Sequence, residues 1–278
     1  MPEQNDRVLK VIRPGIDRIG VQFNRLWDYR ELLFFLVWRD LKVRYKQTAL
    51  GVAWAVLQPL ATMAIFSIVF GRMVKVPSEG VPYPIFAYCA LVPWQLFAFI
   101  LTESSNSMVQ SQYLISKIYF PRLIVPLTPV FTAMVDFLFA FALLIGMMLV
   151  YGVVPKVTIL LLPVFLALVV LTSFAVGVWL AALTAEYRDI RYTVPFLIQF
   201  WMFATPIAYP SNLVPEKWRI LYGLNPMTSV VEGFRWVLLG TPAPPLKPMM
   251  ASGLVVVVIV CGGVMYFRRV ESTFADVL

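Results

Sequence analysis

The stretch YRELLFFLVWRDLKVRYKQTALGVAWAVLQPLATMAIFSIVF, residues 29–70, decides the fold. Its first half, 30–48, mixes Leu32, Leu33, Leu36, Val37, Leu41 and Tyr45 with Arg39, Asp40, Lys42, Arg44 and Lys46. The apolar members recur mostly at three- and four-residue steps, and the basic ones gather beyond position 38. That pattern predicts a helix lying in a lipid headgroup layer. From Leu50 to Gly71 there is no charged residue across 22 positions, enough to cross roughly 30 Å of hydrocarbon. A helix is the conformation expected there, because an isolated open segment would leave backbone groups unpaired in lipid. A basic interfacial helix therefore leads into a spanning one.

The rest of the chain repeats the second half of this pattern. Hydrophobic residues make up 60% of the 278 and charged residues 14%, against roughly a quarter charged in a soluble domain. Several uncharged runs of this length exclude a soluble fold and make the chain an all-α integral membrane protein. The formal net charge of +8 points to anionic lipid and topology rather than nucleic acid, because of where the cations fall. Cys89 and Cys261 both lie in apolar runs and read as small residues within spans, with no disulfide framework. Histidine is absent from the composition and the cysteines do not cluster, which removes the usual soft-metal ligands. The first 30 residues mix acids and bases and do not read as a cleaved signal peptide.

Four segments are expected. Residues 1–29 form a cytosolic N-terminal segment with a weak strand or irregular structure at 8–12, and 30–48 form the amphipathic interfacial helix. Residues 50–267 form a six-helix transmembrane domain, and 268–278 a cytosolic tail. The spans fall near 50–71, 84–108, 124–151, 157–184, 192–207 and 249–267, with a short helix expected at 113–118. Between 208 and 247, Pro210, Pro215 and Pro226 leave pieces too short to span. They read as short broken helices partly in the membrane, tolerated where they line protein or a cavity. Lysine and arginine number 16 on the segments read as inner and 7 on those read as outer, which predicts both termini in the cytoplasm.

Two acids fall within or beside spans, Glu103 and Asp136. They read either as a proton or cation relay or as groups satisfied by neighbouring polar residues and helices. The aromatic supply is large, with 8 Trp, 12 Tyr and 21 Phe. Many sit at span ends as interface anchors. Trp94, Phe97, Phe99, Trp179, Phe196, Phe200, Trp201 and Phe203 are also candidates for lining a passage in which sugar C–H faces slide over rings, although ordinary helix packing gives the same periodicity. Neither a G-x-x-x-x-G-K-[ST] phosphate loop nor a soluble segment long enough for a nucleotide-binding domain is present. Any ATP use is expected to come from a partner.

Taken together, residues 36–51 (LVWRDLKVRYKQTALG) with Trp54 and Gln58-Pro59, then Ser116-Lys117 with Phe120-Pro121-Arg122, Arg188-Asp189-Ile190 and Leu224-Asn225-Pro226-Met227 resemble the membrane subunit of ABC-2 type polysaccharide exporters, the group that includes O-antigen and teichoic acid permeases. The resemblance implies a non-enzymatic transport subunit of the bacterial inner membrane. It implies a homodimer joined to two copies of an ABC ATPase subunit that binds the ATP and Mg, with no cofactor in this chain. An undecaprenyl-linked polysaccharide would be admitted near Arg39, Lys42, Arg44 and Lys46, where cations meet its pyrophosphate. Tyr113, Ser116, Lys117, Tyr119, Phe120 and Pro121 would contact the ATPase, and the region after Ala208 would help close the exit. Alternatives are an ABC-2 exporter of small hydrophobic compounds or lipids and an ion-coupled secondary transporter.

Overall fold

The computed structural model describes residues 26–46, 53–271 and 274; the strand or irregular structure expected at 8–12 lies outside them. Helix α1 (Arg30–Lys46) is followed by α2 (Ala53–Phe66), which passes directly into a π-helical stretch, Ser67–Met73. Next come α3 (Tyr83–Gln110), α4 (Gln112–Lys117) and α5 (Ile124–Val150). A 3-10 turn, Val157–Leu161, leads into α6 (Leu162–Glu186), then α7 (Ile190–Phe203), α8 (Glu216–Gly223), α9 (Pro226–Leu239) and α10 (Leu246–Glu271). Among the described residues, five stretches are long and apolar enough to cross a membrane: Ala53–Met73, Tyr83–Gln110, Ile124–Val150, Val157–Glu186 and Leu246–Glu271. The chain is an all-α, multi-pass membrane protein.

Expectation and structure part at 192–207. The helix there is α7, with 14 residues and a length of roughly 21 Å, short of a full crossing. It stops at Ala204, just ahead of Pro206, since the residue before a proline is pushed out of helical geometry. The chain nevertheless travels the length of the bundle between Glu186 and Ala208. Ala185 packs with Met108, Phe120 and Leu36 at one end, whereas the Tyr83 hydroxyl donates to the Ala208 carbonyl at 2.7 Å at the other. These are called the α1 end and the far end below.

Helix α3 is the most buried of the five apolar stretches, with α5, α6, α9 and α2 packed round it. Small residues allow the close approach, as expected where lipid gives helices no hydrophobic reason to associate. A Cβ built on Gly177 of α6 would come within 2.7 Å of the Ser104 Cβ on α3, so these two backbones nearly touch. Ser104 Oγ donates to the Pro126 carbonyl at 2.8 Å and Tyr88 OH to the Ala140 carbonyl at 3.2 Å, tying α3 to α5.

After α7 the chain forms a helical hairpin. Asn225, at its tip, caps α9 by accepting from the Met227 amide at 3.0 Å. It also accepts from Trp201 Nε1 at 2.8 Å and donates to the Ala204 carbonyl at 3.1 Å. Helix α9 then runs back to the far end, with Phe234 edge-on to Phe137 of α5, and ends at Gly240, whose left-handed φ of 71° closes the helix. Both short helices were expected between 208 and 247.

Candidate functional site

Two cavities among the described residues are lined by charged side chains. The larger is a cavity of about 460 Å³ at the α1 end, walled by α1, α3 and α5 and lined by Arg39, Asp40, Arg44, Phe99, Glu103 and Thr132, among others. Helix α1 forms one wall because Leu36 is buried with Ile115, Phe120, Ile124 and Val125, while Leu32 and Leu33 pack against the same cluster. Its outward side leaves Phe34, Phe35 and Trp38 exposed, next to the exposed Trp27 that precedes the helix. The helix therefore has two apolar faces, and only one is covered by this chain.

The last turns of α1 reach Asp136 of α5. Arg44 Nη2 lies 2.6 Å from Asp136 Oδ2, and the Tyr45 hydroxyl donates to Asp136 Oδ1. Asp136 stands twelve residues into α5, roughly 18 Å along its axis. A carboxylate at that depth needs a partner, and α1 supplies two. Burial first, then the bond to Asp136, raises the Tyr45 hydroxyl well above its ordinary range and keeps it a proton donor. The Arg44 guanidinium also lies 4.2 Å from the centroid of the Phe99 ring, a cation–π arrangement.

The other cations predicted for this site are placed differently. Arg39 is exposed and pairs with its neighbour Asp40 at 2.8 Å, while Lys42 sits over the Trp38 ring at 5.5 Å on the outward side. Lys46 is exposed at the helix end. Of the four, Arg39 and Arg44 line the cavity.

The aromatic candidates separate into groups. Trp94 and Phe97 are buried, and Phe97 meets Trp201 edge-on at 4.9 Å. Phe99 faces the charged cavity. Trp179 packs near Tyr266 of α10 at 6.4 Å. Phe196, Phe200 and Phe203 are all exposed; with Tyr192, also exposed, they follow the spacing of one helix face. The expected passage residues thus divide among the core (Trp94, Phe97), the charged cavity (Phe99), the exposed Trp179, and an uncovered stripe on α7 (Phe196, Phe200, Phe203).

Near the cavity, α4 forms where a short helix was expected. Ile115 and Phe120 are buried, whereas Tyr113 and Tyr119 are exposed, as are Ser116 and Lys117. Pro121 is half-buried, and the Arg122 amide bonds Glu271 Oε1 at 3.2 Å, fastening this connection to the end of α10. The segment is anchored by two apolar side chains and offers its aromatic and polar ones outward.

The second charged place was not singled out from the sequence. Arg235 on α9 is 2% exposed, and its guanidinium donates to the carbonyls of Pro206 at 2.7 Å, Ile207 at 2.6 Å, Phe86 at 3.3 Å and Tyr209 at 3.4 Å. It stacks on the Phe86 ring at 3.5 Å. Its side opens onto a smaller cavity of about 280 Å³ shared with Glu79, Arg219 and Glu232. Burial raises the Glu79 carboxyl and the Arg235 charge opposes that shift. A charge interrupting the apolar run 230–239 was the available signal; its partners are 26 to 149 residues distant in sequence.

Comparison with known proteins agrees with this architecture. Residues 31–239 match the family described as ABC-2 type transporter. The chain is 29% identical over 254 residues to the O-antigen export system permease protein RfbA of Myxococcus xanthus, covering 90% of this chain and 96% of that one. It is 28% identical over 251 residues to the protein of the same name from Klebsiella pneumoniae, covering 89% and 95%. It is 24% identical over 199 residues to the polysialic acid transport protein KpsM of Escherichia coli, covering 70% and 76%. This chain belongs to the ABC-2 type family of membrane permeases, related to those of O-antigen and polysaccharide export, and is a transport subunit rather than an enzyme.

Proposed function

We propose that this chain is the membrane half of an ATP-driven exporter that moves lipid-linked polysaccharide, of the O-antigen or teichoic acid type, across the bacterial inner membrane. The observation that carries this reading is the cavity between α1 and the bundle, where Arg39 and Arg44 face a space of about 460 Å³ beside an exposed aromatic helix face. A polyprenyl pyrophosphate suits it: the chain stays in lipid beside Trp27, Phe34 and Trp38, while the anionic head meets two guanidiniums. Lys42 and Lys46, exposed nearby, gather the anion from the headgroup layer. The names of the relatives favour polysaccharide cargo.

In this reading both termini are cytoplasmic, as the lysine and arginine asymmetry supports. Helix α7 and the turn after it complete a sixth crossing, α1 leads in from the cytoplasmic headgroups along α5, and the α8–α9 hairpin stands at the exit. The segments 1–29, 30–48, 50–267 and 268–278 serve as cytosolic lead-in, interfacial helix, transmembrane domain and cytosolic tail. Two copies associate, and the exposed stripe Phe196, Phe200 and Phe203, with α2 so little covered in a single chain, supports a passage built between copies. Tyr113, Ser116, Lys117 and Tyr119, held by buried Phe120 and by Pro121, receive motion from two ATPase subunits that bind ATP and Mg. Because Ile115 and Phe120 share one cluster with Leu36, that motion reaches α1 directly.

The test is ATP-dependent transport of undecaprenyl-linked glycan by the chain reconstituted in vesicles with its ATPase. Replacing Arg39, Lys42, Arg44 and Lys46 by Gln lowers transport by about tenfold or more while the complex still co-purifies, since charge-assisted contacts to the head are lost. Undiminished transport would contradict the assignment.

A further inference from the structure

Arg44 is not an empty receptor for an anion. It already holds a carboxylate, with Asp136 at 2.6 Å and Phe99 under its guanidinium. Asp136 is held a second time by the Tyr45 hydroxyl. A phosphate ligand that reaches Arg44 competes with Asp136 for its donors, in a cavity that also presents Glu103 and Asp40. The pair is 38% and 16% exposed, so it remains within reach of a ligand arriving through the cavity.

We propose that Asp136 is a specificity-determining residue, a resident anion that sets how much charge an incoming lipid head must carry to take Arg44. This deepens the reading of the cavity as a polyprenyl pyrophosphate site and rests on it. A phosphodiester head, as in phosphatidylglycerol, carries one charge and offers Arg44 little that the carboxylate does not already give. Repulsion from Asp136, Glu103 and Asp40 acts on either head and grows with its charge, so the head that is accepted is the one that gains enough contacts to offset it. A pyrophosphate head brings more charge and more acceptor oxygens, can be gripped bidentately, and has a second guanidinium, Arg39, within the same cavity. Specificity of this kind comes from penalising the wrong ligand. The abundant anionic phospholipids of the membrane are thereby turned away while the scarce pyrophosphate lipid is accepted.

The experiment uses the full chain in nanodiscs of phosphatidylcholine, titrated separately with undecaprenyl pyrophosphate and phosphatidylglycerol. The wild-type chain prefers the pyrophosphate, and Asp136→Asn and Asp136→Ser bind phosphatidylglycerol more tightly, so that the preference shrinks by about tenfold. Asp136→Glu keeps it. Thermal melts of each variant show which are folded. In the wild-type chain, which needs no substitution, undecaprenyl pyrophosphate raises hydrogen exchange across the last turns of α1 and phosphatidylglycerol does not. A preference fully retained in a folded neutral variant, or equal exchange responses to the two lipids, overturns the role of Asp136 alone. A wild-type chain with no preference for the pyrophosphate overturns the binding site as well.

Discussion

Two arginines on different helices of this molecule meet opposite surroundings. Arg235 is 2% exposed, its donors spent on backbone carbonyls and its plane laid on Phe86. Arg44 has a side chain 38% exposed and pairs with a carboxylate from another helix. Carbonyl dipoles fixed by a turn and a helix start cannot leave, so Arg235 fastens α9, the 206–209 turn and the beginning of α3 into one unit. A carboxylate can be exchanged for another anion, so Arg44 belongs to a contact that can open. Burial and the chemistry of the partner separate them in the same direction.

Breaking the fixed end should have the largest effect. Arg235→Met leaves several buried carbonyls without a donor, at about 1–3 kcal/mol for each one not reached by water, and a total loss of about 4 kcal/mol is expected. Unfolding in detergent measures it, with the hydrogen exchange of α9 rising together with that of 206–209. Unchanged exchange at 206–209 would detach the hairpin from that turn.

A smaller loss is expected where α9 crosses α6. A Cβ on Gly233 would stand 2.1 Å from the Phe165 ring, and relieving such overpacking costs about 2 kcal/mol. Gly233→Ala should lower the melting temperature, and adding Phe165→Leu, which clears the space, should restore part of it. A Gly233→Ala chain as stable as wild type would mean that the hairpin is looser than its packing indicates.

The exchangeable end should be the least sensitive of the three in stability. Arg44→Gln leaves Asp136 with Tyr45 and with water from the cavity, and a half-exposed ion pair is worth roughly 1 kcal/mol. Its effect belongs in transport, not in folding.

The sequence made one side of this contrast easier to read than the other. Runs such as 124–151 and 157–184 show their spans by length and lack of charge, and the structure places helices at Ile124–Val150 and Val157–Glu186. Pro210, Pro215 and Pro226 marked the broken region, because proline ends helices regardless of what surrounds them. Helix α4 was legible too, because Pro121 and the polar residues on either side bounded it. Asp136 read either as a relay or as an acid answered by another helix, and it is answered by Arg44 and Tyr45, 92 and 91 residues earlier. Such a pairing leaves no periodic trace. The aromatic residues were undecidable for a different reason: a helix apolar all round does not tell which face meets protein, so buried Phe97 and exposed Phe200 look alike in sequence. Arg235 leaves no signal in the sequence beyond interrupting an apolar run, since its acceptors are backbone carbonyls, and every residue has one.

The most direct measurement is ATP-driven transport by the Arg44→Gln chain in vesicles with its ATPase, taken beside its melting temperature. The account predicts transport reduced by about tenfold, with melting within a few degrees of wild type and the ATPase still bound. Transport that fell only in proportion to the folded fraction would show that Arg44, like Arg235, merely holds the bundle together.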